Sequence, residues 1–173
     1  MVSARKIVRS PITWTLTVLL VIGLGVGLAL AQPWRLFTNN TVIEAAPTAP
    51  GAPADPRTIA TGTLISHEHD TAGTVRILQL PDGSRVLRLE DLDTSDGPDL
   101  HVWLTNAEVI AGKAGWFVFD DAQHTDLGSL KGNKGRQNYP IPADTDLTAL
   151  TSVTIWCQRF HVSFGAAQLT ENK

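Results

Sequence analysis

Hydrophobic residues are distributed along this chain in two different ways. An uninterrupted apolar run extends from Ile12 to Ala31 and contains no charged side chain. From Thr58 onward, short runs of β-branched and aromatic residues recur between glycine, proline and aspartate turn signals, without a long helical period. This pattern predicts one apolar helix followed by an all-β domain, and we expect a β-sandwich.

The apolar run has the length that a helix needs to cross about 30 Å of hydrocarbon. Arg5, Lys6 and Arg9 precede it, and this excess of positive charge predicts a cytoplasmic N-terminus. A cleaved secretory signal is the alternative, because Ala29-Leu30-Ala31 has the small-x-small form of a cleavage site. The run is longer than a signal core, so we predict an uncleaved single-pass protein of the cell membrane. Both readings place the remainder outside the cytoplasm.

Composition predicts the organisation of the rest of the chain. Four prolines among alanines, Pro47, Pro50, Pro53 and Pro56, indicate an extended linker. The predicted divisions are a cytoplasmic N-terminus at 1–11, a transmembrane helix at 12–31, a linker at 32–57 and a β-sandwich domain at 58–173. The formal charge of the chain is −3, although the first 35 residues hold four basic side chains and no acid. The domain is therefore acidic, which argues against nucleic-acid binding.

Seven segments of the domain are predicted to be strands. They are Thr61–Ser66, Gly73–Gln79, Ser84–Leu89, Leu100–Leu104, Trp116–Phe119, Thr151–Cys157 and His161–Leu169. The turn sequence Pro81-Asp82-Gly83 predicts a hairpin between the second and third of these strands. The glycine-rich segment Thr105–Pro142 is predicted to be a long loop interrupted by one or two short strands.

Cys157, the only cysteine, lies in the stretch Thr151 to Gly165, where β-branched and aromatic residues recur at two-residue spacing. Val153, Ile155 and Cys157 have the two-residue spacing that places side chains on one face of a strand. A lone cysteine outside the cytoplasm has four interpretations: a buried inert thiol, a redox-active thiol, a ligand of a metal or cofactor, or one half of an intermolecular disulfide. The sequence leaves the face of the sheet that Cys157 occupies undecided.

The spacing of the histidines is a separate indication of a metal site. Two histidines and one cysteine in a β-sandwich are the ligands of a mononuclear blue-copper site. The candidates here are Cys157, His161 and either His69 or His101. The axial methionine of such sites has no counterpart in this domain, because the only methionine is Met1, although glutamine can take its place. Copper is therefore the third of the functional hypotheses, and the sequence itself requires no cofactor.

Several sequence elements carry a resemblance to a known family. They are Gly62, HDTAGTVRI, DGPDLHVWL, LGSLKGNKGRQNYPIP and SVTIWCQRFHVSFGAAQL, in that order. From about Thr61 to Leu169 the chain resembles the DM-thirteen domain of Skeletor-like cell-surface proteins and of many bacterial membrane-tethered proteins. The resemblance implies a sandwich related to DOMON domains, with electron transfer or redox modification through its signature cysteine, here Cys157. It also makes His69, Asp99 and Trp156 second-rank site candidates.

The leading hypothesis is accordingly an extracytoplasmic redox module anchored in the membrane by Ile12–Ala31. Its electron partner is expected to be another protein. The alternative is a non-catalytic adhesion or scaffolding domain in which Cys157 fills the core. The chain contains no GxSxG or HExxH motif, so the sequence does not define an enzyme class. It does not define an oligomeric state either.

Overall fold

The computed structural model of this protein describes residues 10–48 and 55–172. Arg5, Lys6 and Arg9, on which the predicted orientation in the membrane rests, lie outside these residues. The chain divides into two compact units, with the boundary between Trp34 and Arg35. The first unit contains one long helix, and the second contains the β-domain.

The helix α1 covers Pro11–Ala31, in agreement with the apolar run of the sequence. Proline at the first helical position suits a helix start because its missing N–H would have no partner there. Gln32 ends the helix in the left-handed conformation, and its N–H donates to the Leu28 carbonyl at 2.9 Å. Within the described residues, this is the one helix long and apolar enough to span a membrane. Two short 3-10 helices cover Pro33–Phe37 and Lys113–Gly115.

In the described part of the chain, eleven strands form two sheets. They are β1 Thr41–Ile43, β2 Arg57–Thr63, β3 Ile65–Ser66, β4 Ala72–Gln79, β5 Arg85–Asp93, β6 Leu100–Thr105, β7 His124–Ser129, β8 Lys134–Ile141, β9 Ser152–Cys157, β10 Val162–Gln168 and β11 Thr170–Glu171. The first sheet has the order β1-β8-β5-β4-β2-β11, and the second has the order β3-β10-β9-β6-β7. The predicted β-sandwich is therefore confirmed.

The hydrophobic core lies between the two sheets, as strand alternation requires. Its fully buried aliphatic residues come from both sheets, namely Val75, Ile77, Leu87, Leu89, Val102, Leu104, Val153 and Ile155. The predicted hairpin also forms, because β4 pairs with β5 across Pro81-Asp82-Gly83 and the Leu80 N–H donates to the Ser84 carbonyl at 2.8 Å. Gly83 supplies the positive φ, 85°, that this turn needs.

A second, smaller core covers the outer face of the second sheet. Trp103, Trp156 and Ala166 project from the strands, and Phe119 packs onto them from the loop that joins β6 to β7. We call this group, with the partly buried Ala107, Val109 and Val118, the outer aromatic cluster. Because this cluster covers the face of β9 that points away from the main core, β9 is buried on both faces. All six residues of β9 are buried.

The predicted strand at Trp116–Phe119 is wrong. This segment follows the 3-10 helix Lys113–Gly115 and consists of turns. Its apolar pattern arises because Phe119 is fully buried in the outer aromatic cluster, while Trp116 packs against the main core. The long segment Thr105–Pro142 does contain two strands, as predicted, but β8 is an interior strand of the first sheet rather than part of a loop.

Part of the predicted linker belongs to the domain. Residues 41–43 form β1, which pairs in parallel with β8 at one edge of the first sheet. The Asn40 N–H donates to Asn133 Oδ1 at 2.7 Å, and the buried Arg88 guanidinium donates to the Ala45 carbonyl at 3.1 Å. Polar side chains distant in sequence hold this short strand, so local hydrophobicity does not reveal it. These residues consequently do not act as a spacer.

Replacing Asn133 with alanine tests this attachment. Asn133 is 2% exposed, and its amide also donates to the Thr94 carbonyl at 2.7 Å. Asn133→Ala should lower the free energy of unfolding by about 1–3 kcal/mol, because the buried Thr94 carbonyl and the Asn40 N–H both lose their partner. Asn106→Ala, the same change at an exposed residue, is the matched control. Equal stability of the two variants in urea unfolding would contradict the attachment.

Candidate functional site

Cys157 ends strand β9 and faces the main core. Its side chain is fully buried, and it belongs to the same cluster as Val153 and Ile155, which confirms their predicted common face. Leu100 on β6 and Val162 on β10 are its partners across the sheet. The backbone leaves the sheet directly after Cys157, because a turn over residues 158–161 connects β9 to β10. The thiol is therefore sealed from solvent near one end of the sandwich.

Burial raises the pKa of the Cys157 thiol above its ordinary value. Backbone N–H groups of Phe160 and Arg159 donate to the sulfur and lower the pKa, but not enough to offset burial. The negative charge of Asp99 raises it further, and the positive charge of Arg159 lowers it slightly. The group is consequently a protonated thiol at neutral pH rather than a thiolate.

Trp156 directly precedes Cys157 and faces the opposite side of the sheet. Its indole stacks on that of Trp103, with ring centroids 5.2 Å apart and an interplanar angle of 28°. Phe119 contacts Trp156 edge to face, with centroids 6.3 Å apart. Both geometries are favourable for aromatic pairs. Trp156 is 1% exposed and Trp103 is 6% exposed, so the indole pair is dry.

A histidine lies at each end of this aromatic group. The exposed His124 stacks on Trp103, with centroids 3.8 Å apart and an interplanar angle of 8°. His67 lies 5.8 Å from Phe119 between ring centroids. We call the series His124, Trp103, Trp156, Phe119 and His67 the aromatic column. No sequence pattern indicates this column, because its members are up to 89 positions apart and only the sheet brings them together.

His67 is buried and neutral. Its Nδ1 lies 2.8 Å from Ser163 Oγ, which in turn lies 2.8 Å from Thr154 Oγ1. Its Nε2 approaches the Ile110 carbonyl without reaching hydrogen-bond geometry and has no partner in the described residues. Burial lowers the pKa of His67, and the Ile110 carbonyl raises it by less. The buried end of the aromatic column is therefore an uncharged imidazole.

The other candidate residues lie in separate environments. The His69 ring packs on Phe164, with centroids 3.9 Å apart, and pairs with Glu68. Asp99 Oδ1 lies 3.5 Å from His101 Nε2, and His101 Nδ1 lies 2.8 Å from Asp126. The exposed His161 pairs with Asp120 instead of the thiol, at 2.8 Å. Of His69, Asp99, His101 and His161, Asp99 alone influences the pKa of Cys157, through its negative charge.

The hypothetical copper site is not formed by these residues. Across residues 10–48 and 55–172, no three His, Cys, Asp or Glu side chains are grouped so that they could hold a metal ion. His101 and His161 each use Nδ1 to contact an aspartate, and Cys157 faces the apolar core. The even sequence spacing that suggested copper ligands therefore does not correspond to a common coordination position.

The fold and this site define a class of protein, a two-sheet β-domain with one buried thiol that follows an apolar helix. Comparison with family models identifies the class more closely. Residues 63–169 match the family described as Electron transfer DM13, which covers more than half of the chain, and the chain belongs to this family. The resemblance seen in the sequence is thus confirmed. No curated protein and no solved structure matches the chain.

His67 predicts a dependence of stability on pH. Its pKa is lower in the folded protein than the ordinary value of 6.5. As the pH falls below about 6.5, the unfolded chain therefore binds more protons than the folded protein does. The free energy of unfolding decreases in this range, and His67 accounts for at most about 1.4 kcal/mol per pH unit. Above that pH, His67 contributes no such dependence.

The contribution of His67 is measured by replacing it with glutamine, which retains a polar partner for Ser163. Urea unfolding between pH 5 and pH 7 should show a smaller loss of stability in His67→Gln than in the unmodified protein. His161→Gln is the control, because the His161 side chain is 67% exposed. If His67→Gln lost stability with falling pH as steeply as the control, burial of a neutral His67 would be refuted.

Proposed function

We propose that this protein is a membrane-anchored electron-transfer module in which Cys157 donates and recovers single electrons. Two findings support the proposal: membership of a family described by electron transfer, and the position of the thiol. Its sulfur is fully buried, yet its strand neighbour Trp156 belongs to an indole stack on the other side of the sheet. That arrangement is the observation on which the proposal depends.

Burial favours electron transfer over thiol–disulfide exchange. Exchange requires a thiolate to attack a disulfide sulfur directly, and both contact and ionisation are needed. Cys157 offers neither, because its side chain is inaccessible and burial raises its pKa. An electron can pass between groups that do not touch. The same burial also opposes an intermolecular disulfide between two copies of the chain.

The proposed step balances with one electron and one proton. The thiol of Cys157 gives an electron to a one-electron acceptor, becomes a thiyl radical, and releases its proton to the Asp99 carboxylate. Asp99 is suited to this role because it lies beside the end of β9, where its carbonyl accepts from the Gln158 N–H at 2.9 Å, and its partly exposed side chain can pass the proton to water. His69 has a positioning role, since it packs on Phe164 of the same core cluster as Cys157.

The apolar helix gives the module its place in the cell. We propose that α1 crosses the membrane once, with the N-terminus in the cytoplasm and the β-domain outside it. The length and composition of α1 support a membrane span. The hydroxyls of Thr15 and Thr17 donate to carbonyls one turn earlier, at 3.0 and 2.8 Å, as a lipid environment requires. Degradation of the domain by protease added outside intact cells tests this orientation, and full protection would oppose it.

A non-catalytic adhesion or scaffolding domain is the second candidate function. It is favoured by one observation, the placement of Cys157 among the apolar residues of the main core. Buried cysteines often act only as small hydrophobic side chains. In that case the thiol would fill space, and any partner would bind elsewhere on the domain.

Two reagents applied to the full chain in detergent separate these functions. Iodoacetamide must touch the sulfur to react, whereas hexachloroiridate(IV) accepts one electron without bonding to it. We expect the native thiol to resist iodoacetamide for as long as the domain stays folded. We also expect hexachloroiridate(IV) to consume the thiol, measured as a lower count of free thiol after unfolding. Cys157→Ala should reduce correspondingly less of the oxidant.

Each pattern of results has one meaning. A thiol that resists both reagents, with equal oxidant consumption in the Cys157→Ala variant, would support the scaffolding function and refute electron transfer at Cys157. Rapid alkylation of the folded protein would refute the sealed site and favour thiol exchange. Thermal unfolding of Cys157→Ala should be measured in parallel, because removal of a buried sulfur costs some stability.

A further inference from the structure

We propose that the aromatic column carries electrons between the protein surface at His124 and the buried Cys157, with Trp103 and Trp156 as the two stations. This inference rests on the proposed function, because it supplies the route by which a sealed thiol exchanges electrons. The route is needed because the thiol faces the core, on the side of the sheet opposite the outer aromatic cluster.

His124 is the point of entry. It is exposed at the start of β7, and its ring lies nearly parallel to Trp103 at 3.8 Å between centroids. Its Nδ1 lies 3.0 Å from the Ala122 carbonyl, and since a carbonyl oxygen only accepts, Nδ1 carries the proton and donates. This hydrogen bond fixes the ring against the indole and leaves Nε2 as the coordinating nitrogen. An acceptor docked here approaches Trp103 through one imidazole.

The indole pair is suited to hold a transient positive charge. Tryptophan is among the side chains most easily oxidised by one electron, and the two indoles are stacked and nearly fully buried. Trp103 Nε1 is buried without a hydrogen-bond partner in the described residues. A radical cation formed on Trp103 therefore has no adjacent acceptor for its N–H proton. It keeps that proton and returns to the neutral indole by gaining an electron alone.

Trp156 connects the pair to the thiol. Trp156 and Cys157 are consecutive residues of β9, so the path between their side chains runs through the backbone they share. Phe119 and His67 continue the column beyond Trp156, but phenylalanine is not oxidised under conditions that oxidise indole. Phe119 therefore only packs edge to face against Trp156. The electron route continues from Trp156 through the backbone to Cys157 and does not include Phe119 or His67.

The electrons balance along this route. A high-potential one-electron oxidant at His124 takes an electron from Trp103, which becomes a radical cation. Trp156 restores Trp103 and is oxidised in turn. The thiol of Cys157 then restores Trp156, becomes a thiyl radical and loses its proton to Asp99. Both indoles end unchanged, and the net reaction is removal of one electron and one proton from Cys157.

Flash photolysis of the full chain in detergent tests the route. A ruthenium bis-bipyridine group is attached to Nε2 of His124, and its position is verified by mass spectrometry. A flash and a soluble quencher generate ruthenium(III), and its reduction and the visible absorption of the tryptophan radical are followed in time. The variants are Trp103→Phe, Trp156→Phe and Cys157→Ala, which are compared with the unmodified protein. Trp116→Phe is the matched control, because the Trp116 indole N–H is also buried without a hydrogen-bond partner among the described residues, but Trp116 packs against the main core.

We expect Trp103→Phe to slow the reduction of ruthenium(III) by an order of magnitude or more and to abolish the radical signal. Trp156→Phe should leave the Trp103 radical in place and lengthen its lifetime several-fold. Trp116→Phe should match the unmodified protein. Phenylalanine preserves aromatic packing, and circular dichroism checks the fold of each variant. If Trp103→Phe fails to fold, the lifetime in Trp156→Phe alone decides the question.

The column is refuted as a route if Trp103→Phe reduces ruthenium(III) as fast as Trp116→Phe, or if Trp156→Phe leaves the lifetime of the radical unchanged. Failure of the proposed function gives a different result. In that case Trp103→Phe still slows the reduction of ruthenium(III) and Trp156→Phe still lengthens the radical lifetime, but Cys157→Ala has the same radical lifetime as the unmodified protein. The column would then conduct electrons to a terminus other than the thiol.

Discussion

The alternation of side chains along β9, with both faces of the strand covered, is the constraint on which the rest of this structure depends. A strand in the middle of a sandwich buries one face in the core. Here the loop between β6 and β7 buries the other face as well. Consecutive residues of one strand therefore occupy two separate dry environments, Cys157 in the main core and Trp156 in the outer aromatic cluster. The thiol and the indole are neighbours in the chain but lie on opposite sides of the sheet.

This constraint determines what chemistry is available to the thiol. Reactions that need contact with sulfur are blocked, and ionisation is disfavoured by the burial that raises the pKa of Cys157. In the proposed function, an electron enters instead through Trp156, from a surface that the thiol does not reach. The half-exposed Asp99 lies at the same end of the sheet, since its carbonyl accepts from the Gln158 N–H at 2.9 Å. In the proposed function, the electron therefore follows a dry route and the proton a solvent-exposed one.

Sequence patterns predicted the parts of the structure that depend on local hydrophobicity or turn chemistry. The apolar helix, the hairpin at Pro81-Asp82-Gly83 and the common face of Val153 and Cys157 belong to this group. The predicted long loop with one or two short strands does not indicate that β8 is an interior strand, because the buried residues of β8 include the polar Gln137, whose amide donates to the Gly132 carbonyl. Strand β1 was missed because distant polar side chains hold it. The segment around Phe119 was mistaken for a strand because a loop that covers a sheet also needs apolar residues.

The candidate site was predictable only in part. The lone cysteine and its adjacent tryptophan drew attention by residue type alone, whereas the contacts of Trp103 with Trp156 and His124 exist only through strand pairing and a covering loop. The copper hypothesis failed for the same reason. Even spacing fixes the parity of side chains along one strand, but it does not show which strands bring their side chains to one point. Here His161 lies in a turn and pairs with Asp120.

The rate of alkylation of Cys157 at increasing urea concentration measures whether the folded domain seals the thiol. If the thiol reacts only through global unfolding, the free energy of opening obtained from these rates will equal the free energy of unfolding and will show the same dependence on urea. That is the result we predict. A rate that is fast in water and insensitive to urea would show that a local opening exposes the sulfur, so that the folded domain does not seal the thiol.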